Sequence, residues 1–114
     1  MALDLTVCVD KNTRHDWANT SGYDRLEFDR NYDLFNTIKG LCPEPMPEGM
    51  TLEFYHAYGL RLDEKDSRGD RITRLRAAAF DKLPDHLIMN SWNRAIITFL
   101  QSLPGNLWVY LWWH

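Results

Sequence analysis

Leu107-Trp108-Val109-Tyr110-Leu111-Trp112-Trp113 sets seven large apolar side chains in an unbroken run. The turn-forming residues Pro104-Gly105-Asn106 stand directly before it, and a bounded run this short, rich in aromatic and β-branched groups, reads as a strand rather than a helix. Strand alternation sends Trp108, Tyr110 and Trp112 to one face and Val109, Leu111 and Trp113 to the other. Both faces are then apolar, so the strand needs cover on both sides. At an open edge it would be an aggregation hazard. It is therefore expected inside a sheet or within a subunit interface, and the rest of the chain must supply its neighbours.

Working back from that strand, Trp92, Ile96, Phe99, Leu100 and Leu103 recur at intervals of three and four, which predicts an amphipathic helix with Ser91 as its cap and Trp92 in the core. At the other end, Leu3, Leu5, Val7 and Val9 alternate with polar or small partners, predicting a half-buried strand over Ala2 to Val9. Lys11 to Tyr23 reads as a long loop or irregular hairpin, with Trp17 pinning it to the core. Tyr32, Leu34, Phe35 and Ile38 then fall at helical spacing. Asp29 or Asn31 can cap that helix, which runs over about Asn31 to Lys39, and Gly40 can stop it. Pro43, Pro45 and Pro47 make the next stretch an extended connector. A second strand over Thr51 to about Gly59 follows.

The segment Leu60 to Leu83 admits two readings. In one, Asp70 caps a helix whose Ile72, Leu75, Ala79 and Leu83 share a face. In the other, Leu60-Arg61-Leu62 pairs with Ile72 to Leu75 across a Lys65 to Asp70 turn. Both continue as a helix from about Ala77, where three alanines stand together. The expected fold is α+β: one small domain over residues 1–114, its sheet including the N- and C-terminal strands and packed against two to three helices.

A chain of 114 residues can close one core. Its hydrophobic share of 45% and aromatic share of 13% are those of a folded domain rather than a disordered one. Residues 1 to 57 hold ten acids and five bases, whereas residues 58 to 114 hold six acids and eight bases. Neither half has the concentrated positive field on which non-specific phosphate-backbone binding depends, so duplex nucleic acid is not a favoured partner. Two cysteines, Cys8 and Cys42, are too few for a disulfide framework. Asp4 lies in the first apolar stretch with no basic segment ahead of it, so neither a signal peptide nor a membrane anchor is expected. A cytoplasmic location is the resulting expectation.

The sequence holds no complete catalytic motif. His15, His56, His86 and His114 are scattered without ligand spacing, so a metal would require tertiary convergence; no metal or cofactor is expected. His56, between Tyr55 and Tyr58, is the histidine best placed for a role. Asp63, Glu64, Asp66 and Asp70 lack the order of a calcium loop and read as a solvated turn. Arg61, Lys65, Arg68, Arg71, Arg74 and Arg76 form a basic cluster. Guanidinium groups grip phosphate or carboxylate in two-pronged fashion, yet the interleaved acids also suit mutual neutralisation on a solvated face. Arg68, Arg71 and Arg74 are the candidates there for ligand or partner binding. The tryptophans read as core, interface or loop anchors before stacking platforms.

The block Arg30-Asn31-Tyr32-Asp33-Leu34-Phe35, together with the opening Met1-Ala2-Leu3-Asp4-Leu5, Trp17 and Gly40, resembles a family of small bacteriophage and prophage proteins. These open on a Met-x-x-Asp-Ile-His strand and continue to Arg-Asn-Tyr-x-Leu-Phe. The resemblance covers about the first third of the chain. Thr6 stands where the family has histidine, and the family's later His-Ser-His-Ser-Trp stretch has no counterpart. The resemblance implies a phage-type origin and adds Arg30 and Asn31 to the candidate residues, although Arg30 could equally pair with Asp4. The reading that follows is a small accessory protein that binds a host protein, such as an antiviral-defence component, and inhibits it. A small-molecule binder or nucleotide sponge using the Arg cluster for phosphate is the alternative, and a small hydrolase around His56 is a weaker one. A homodimer is expected from the apolar C-terminal strand.

Overall fold

The structure, a computed structural model, describes residues 3–10, 23–56 and 59–114, with side chains described outside residues 53–62. Among the described residues, seven strands and two α-helices follow in the order β1 (Leu5–Asp10), β2 (Tyr23–Glu27), α1 (Tyr32–Gly40), β3 (Glu44–Pro45), β4 (Leu52–His56), β5 (Gly59–Asp63), β6 (Thr73–Arg76), α2 (Ser91–Ser102) and β7 (Trp108–Trp113). Two 3₁₀ turns, Ala77–Lys82 and Asp85–Leu87, join β6 to α2. The main sheet has the order β2-β1-β7-β6-β3, and β4 with β5 makes a separate two-stranded ribbon. This is the α+β domain that the sequence implies, with its first and last strands side by side.

β7 lies at the centre of the main sheet, antiparallel to both β1 and β6; Val7 sits opposite Leu111, and Leu75 opposite Val109. The alternation holds. Val109, Leu111 and Trp113 join Leu5, Val7, Phe35, Phe80, Ile97 and Leu100 in the core beneath the helices. Tyr110 faces the other way, packed with Cys8, Met46, Leu52 and Ile72, and Trp108 and Trp112 rest against that second cluster. One chain thus covers both faces of β7, so the expectation of a second copy loses its premise of uncovered apolar surface on that strand.

Several local expectations change. β2 falls where no strand was expected; its Tyr-Asp-Arg-Leu-Glu sequence lacks clean alternation because it is an edge strand, where charge discourages further pairing. The Lys65–Asp70 turn exists, with a bridge between Lys65 and Arg71 and a bond from Ile72 N–H to Glu64 C=O. Its arms then part: β5 pairs with β4, and β6 joins β7 and β3. The segment from Ala77 is 3₁₀ rather than α, ending ahead of Pro84. Asn90, not Ser91, caps α2 by accepting from Asn93 N–H at 3.0 Å. α1 includes Gly40, but the left-handed residue after it is Cys42, with φ 61°, a conformation uncommon without glycine. The loop read over residues 11–22, with His15 and Trp17, lies outside the described residues.

Candidate functional site

Two segments, residues 27–32 at the entry to α1 and residues 87–93 at the entry to α2, are fastened together by side chains of short reach. Asn31 caps α1 by accepting from Leu34 N–H at 3.1 Å, while its amide donates to Leu87 C=O at 3.2 Å. Asn93, 1% exposed, accepts from Asp29 N–H at 2.8 Å and donates to Asp29 C=O at 3.0 Å. One amide side chain thus satisfies both backbone groups of Asp29, which accounts for a buried polar residue on the apolar side of a helix. Trp92 Nε1 donates to Glu27 C=O at 2.7 Å, at the end of edge strand β2. The indole is therefore a brace on the sheet edge.

Trp92 is 48% exposed, which corrects its expected place in the core: its position on α2 points past the main cluster and toward β2. Tyr32 is 47% exposed and Met89 78% exposed, and these three are the exposed large apolar side chains among the described residues. All three stand on the two fastened segments. Beside Trp92, a groove of about 460 Å³ runs between β2 and α2, lined by Leu26, Ala95, Ile96 and Phe99 with Asp24 and Arg25 at its rim. Trp, Tyr and Met are the residue types enriched at protein interfaces, because they bury much apolar area with few rotamers to freeze or with an adaptable side chain.

Next to this face, Arg30 forks onto Asp4, Nε to Oδ1 at 3.0 Å and Nη2 to Oδ2 at 2.8 Å. This is the pairing that the sequence allowed, and it leaves Arg30 a structural role as well as partial exposure. The guanidinium holds the Asp4 carboxyl below the ordinary carboxylate value. Asp4, Glu27 and His114 come together at one end of the sheet, with ligand atoms within 4.8 Å of one another. Asp4 stands just before β1, Glu27 ends β2 and His114 follows β7, a convergence that no linear spacing could announce. His114 Nε2 is 2.9 Å from Thr6 Oγ1 and 3.8 Å from Glu27 Oε1. With Arg30 neutralising Asp4 and Thr6 engaging the imidazole, the set is a hydrogen-bonded ion-pair network.

The basic cluster is dispersed by the fold. Arg71 donates from Nε to Met46 C=O at 2.9 Å and from Nη2 to Pro47 C=O at 2.6 Å, holding the proline-rich connector against the sheet. Arg74 pairs with Glu44 of β3 at 3.1 Å. Arg74 and Arg76 both stack against the Trp108 indole, at 3.7 and 3.6 Å from ring centre to guanidinium carbon. Arg68 lines a separate depression with Lys39, Arg71 and the buried Asp66. Asp66 is 7% exposed and accepts from the N–H groups of Arg68 and Asp70; the expected solvated turn therefore has a buried carboxylate at its centre, and Gly69 supplies the left-handed residue it needs. β4 contains His56, whose side chain lies outside the described residues.

Arg30 and Asn31 are thus brought to the face carrying Tyr32, Met89 and Trp92, while Arg71 and Arg74 are tied to the segment that holds β3, and Arg68 lies beside Leu3 and Trp113, close enough for its charge to act on Asp4. Met89 and the exposed state of Trp92 escape sequence reasoning; a methionine just ahead of a capped helix was the one available signal. No described helix is long and apolar enough to cross a membrane. Comparison with known proteins returned no matching family model, no matching curated protein and no matching solved structure.

Proposed function

We propose that this protein acts by non-covalent binding of a partner protein through the face formed where the entries of α1 and α2 meet. The observation that carries the reading is the clustering of Tyr32, Met89 and Trp92, exposed on two segments braced by Asn31 and Asn93. A surface of this kind is stiff before binding, so little ordering entropy opposes association. Carboxylates at Glu27, Asp29 and Asp33 surround it, while Arg30 and Arg94 are engaged by Asp4 and Asp85. That balance suits a partner presenting basic groups around an apolar anchor.

The Arg-Asn-Tyr-x-Leu-Phe block begins on this face with Arg30, Asn31 and Tyr32 and runs into the core with Leu34 and Phe35, and its resemblance to small phage proteins supports the particular form of the reading: an accessory protein that occupies and inhibits a host protein, such as a component of antiviral defence, in the bacterial cytoplasm. The test is affinity capture from a bacterial host lysate. The reading predicts a stoichiometric host protein retained by the wild type and lost with the double variant Met89→Ser/Trp92→Ser. Equal retention by a folded double variant contradicts it.

A further inference from the structure

A second site lies across the fold, at the edge that holds β3, and has a different chemistry. A depression of about 380 Å³ is lined by Arg74, Arg76, Lys82 and Trp108 above an apolar floor that includes Ala78 and Ala79. Glu44 is its single carboxylate, against three cations, in a chain whose net charge is -3. A volume of this order fits a small organic anion rather than a polymer.

The cations are placed rather than merely present. The Arg74 and Arg76 guanidinium carbons lie 3.7 and 3.6 Å from the centre of the Trp108 ring, a contact that restrains side chains that would otherwise sweep through many rotamers. Glu44 Oε1 takes Nε and Nη2 of Arg74, and Asn106 C=O takes Nη1 of Arg76. Each guanidinium has five N–H donors, so Arg74 Nη1 and Arg76 Nε and Nη2 keep donors to spare. Lys82 makes no hydrogen bond or ion pair among the described residues and adds three more. Fixed, unspent, positively charged donors around a concave floor are the arrangement that a tetrahedral oxyanion satisfies, since its oxygens accept from several directions at once.

We infer that this depression binds the phosphate group of a small molecule, with Arg74, Arg76 and Lys82 as its donors. Ala78 and Ala79 supply apolar contact for whatever the phosphate is attached to. The site is independent of the protein-binding face and stands or falls without it.

The experiment is isothermal titration calorimetry of the full chain at constant ionic strength with inorganic phosphate, pyrophosphate, ATP, adenosine and a short poly-glutamate peptide as separate titrants. Saturable binding of pyrophosphate or ATP is expected, with none for adenosine. Lys82→Ala, which removes a side chain that braces nothing, is expected to weaken binding by about tenfold or more, the scale of one charge-assisted hydrogen bond; Arg76→Gln, checked for folding by circular dichroism, is expected to do the same. Tighter binding of ATP than pyrophosphate identifies a nucleotide-type ligand, and equal binding identifies the free anion. The inference is overturned by no saturable heat with any phosphate titrant, by Lys82→Ala binding as tightly as wild type, or by saturation with the acidic peptide alone.

Discussion

Arg30 meets Asp4 through two parallel hydrogen bonds, Nε to Oδ1 at 3.0 Å and Nη2 to Oδ2 at 2.8 Å, and so ties the segment leading into α1 to the residue before β1. The pair is a lock on the corner of the sheet where β1, β2 and α1 converge. Arg30 depresses the folded-state pKa of Asp4. A depressed carboxylate contributes stability that is present above its unfolded value and is lost as pH falls through the folded one. Asp4→Asn is therefore expected to lower Tm at neutral pH, with the gap to wild type closing as the pH drops below about 4. Thermal scans of both proteins across pH 2 to 7 check this, and a gap that persists at the acid end would mean that the asparagine harms packing instead.

Asp66 has the opposite sign. Burial raises its carboxyl above the ordinary value even though two backbone N–H groups lower it. Such a group favours the fold most below its unfolded pKa, and that contribution fades as pH rises through the folded value. Asp66→Asn keeps the accepting oxygen and removes the buried charge. Near pH 7 the variant is expected to equal or exceed wild type in Tm, with the difference shrinking on acidification. A variant less stable than wild type at pH 7 would show that the charge itself is needed there.

Asn93 is the brace with the most to lose. Truncation to alanine leaves Asp29 N–H and C=O, which are only part-buried, without their side-chain partner, and the two lost bonds are expected to cost about 1–3 kcal/mol. Urea denaturation is the measurement, with the midpoint falling and the slope unchanged. Asn93→Asp keeps the acceptor for Asp29 N–H and loses the donor, so its cost is expected to be smaller unless the new charge is itself penalised.

The two thiols are expected to differ sharply. Cys8 is buried at the centre of the sheet, and desolvation pushes its thiol up to about 12; Cys42 is exposed just beyond α1. Thiolate is the reactive form. A thiol-counting reagent at pH 8 is expected to modify one cysteine in the native protein and two in denaturant. Rapid modification of both without denaturant would mean that the sheet opens readily.

Much of this fold was legible in residues 107–113, because a strand apolar on both faces has few places to go. Its two-sided burial, the strand β1 and both α-helices followed from periodicity, and β1 was expected in the same sheet; that the two strands pair directly is what the fold adds. β2 was hidden, since an edge strand with charges at Asp24, Arg25 and Glu27 has no pattern to display. The partners of residues 59–76 were hidden as well: the turn between the arms was readable, but which strand each arm joins is decided by tertiary competition with β4 and β7. The arginines were correctly seen as a cluster in sequence, and the fold assigns them to separate tasks. Trp92 shows the limit of helical spacing, which identifies a face of a helix without saying how far that face extends over its neighbour.

The most direct test of the partner-binding face is a three-bait capture from one bacterial lysate, quantified by mass spectrometry. The baits are wild type, Met89→Ser/Trp92→Ser, and Lys82→Ala. Met89 is far from buried, and exposed truncations away from bracing contacts change stability by about 0.5 kcal/mol or less; Trp92 loses one hydrogen bond, so folding of the double variant is verified first by circular dichroism. The account predicts one stoichiometric host protein with wild type and Lys82→Ala, depleted about tenfold or more with the double variant, as befits loss of an interface anchor. A partner held equally by all three baits, or lost only with Lys82→Ala, would contradict it.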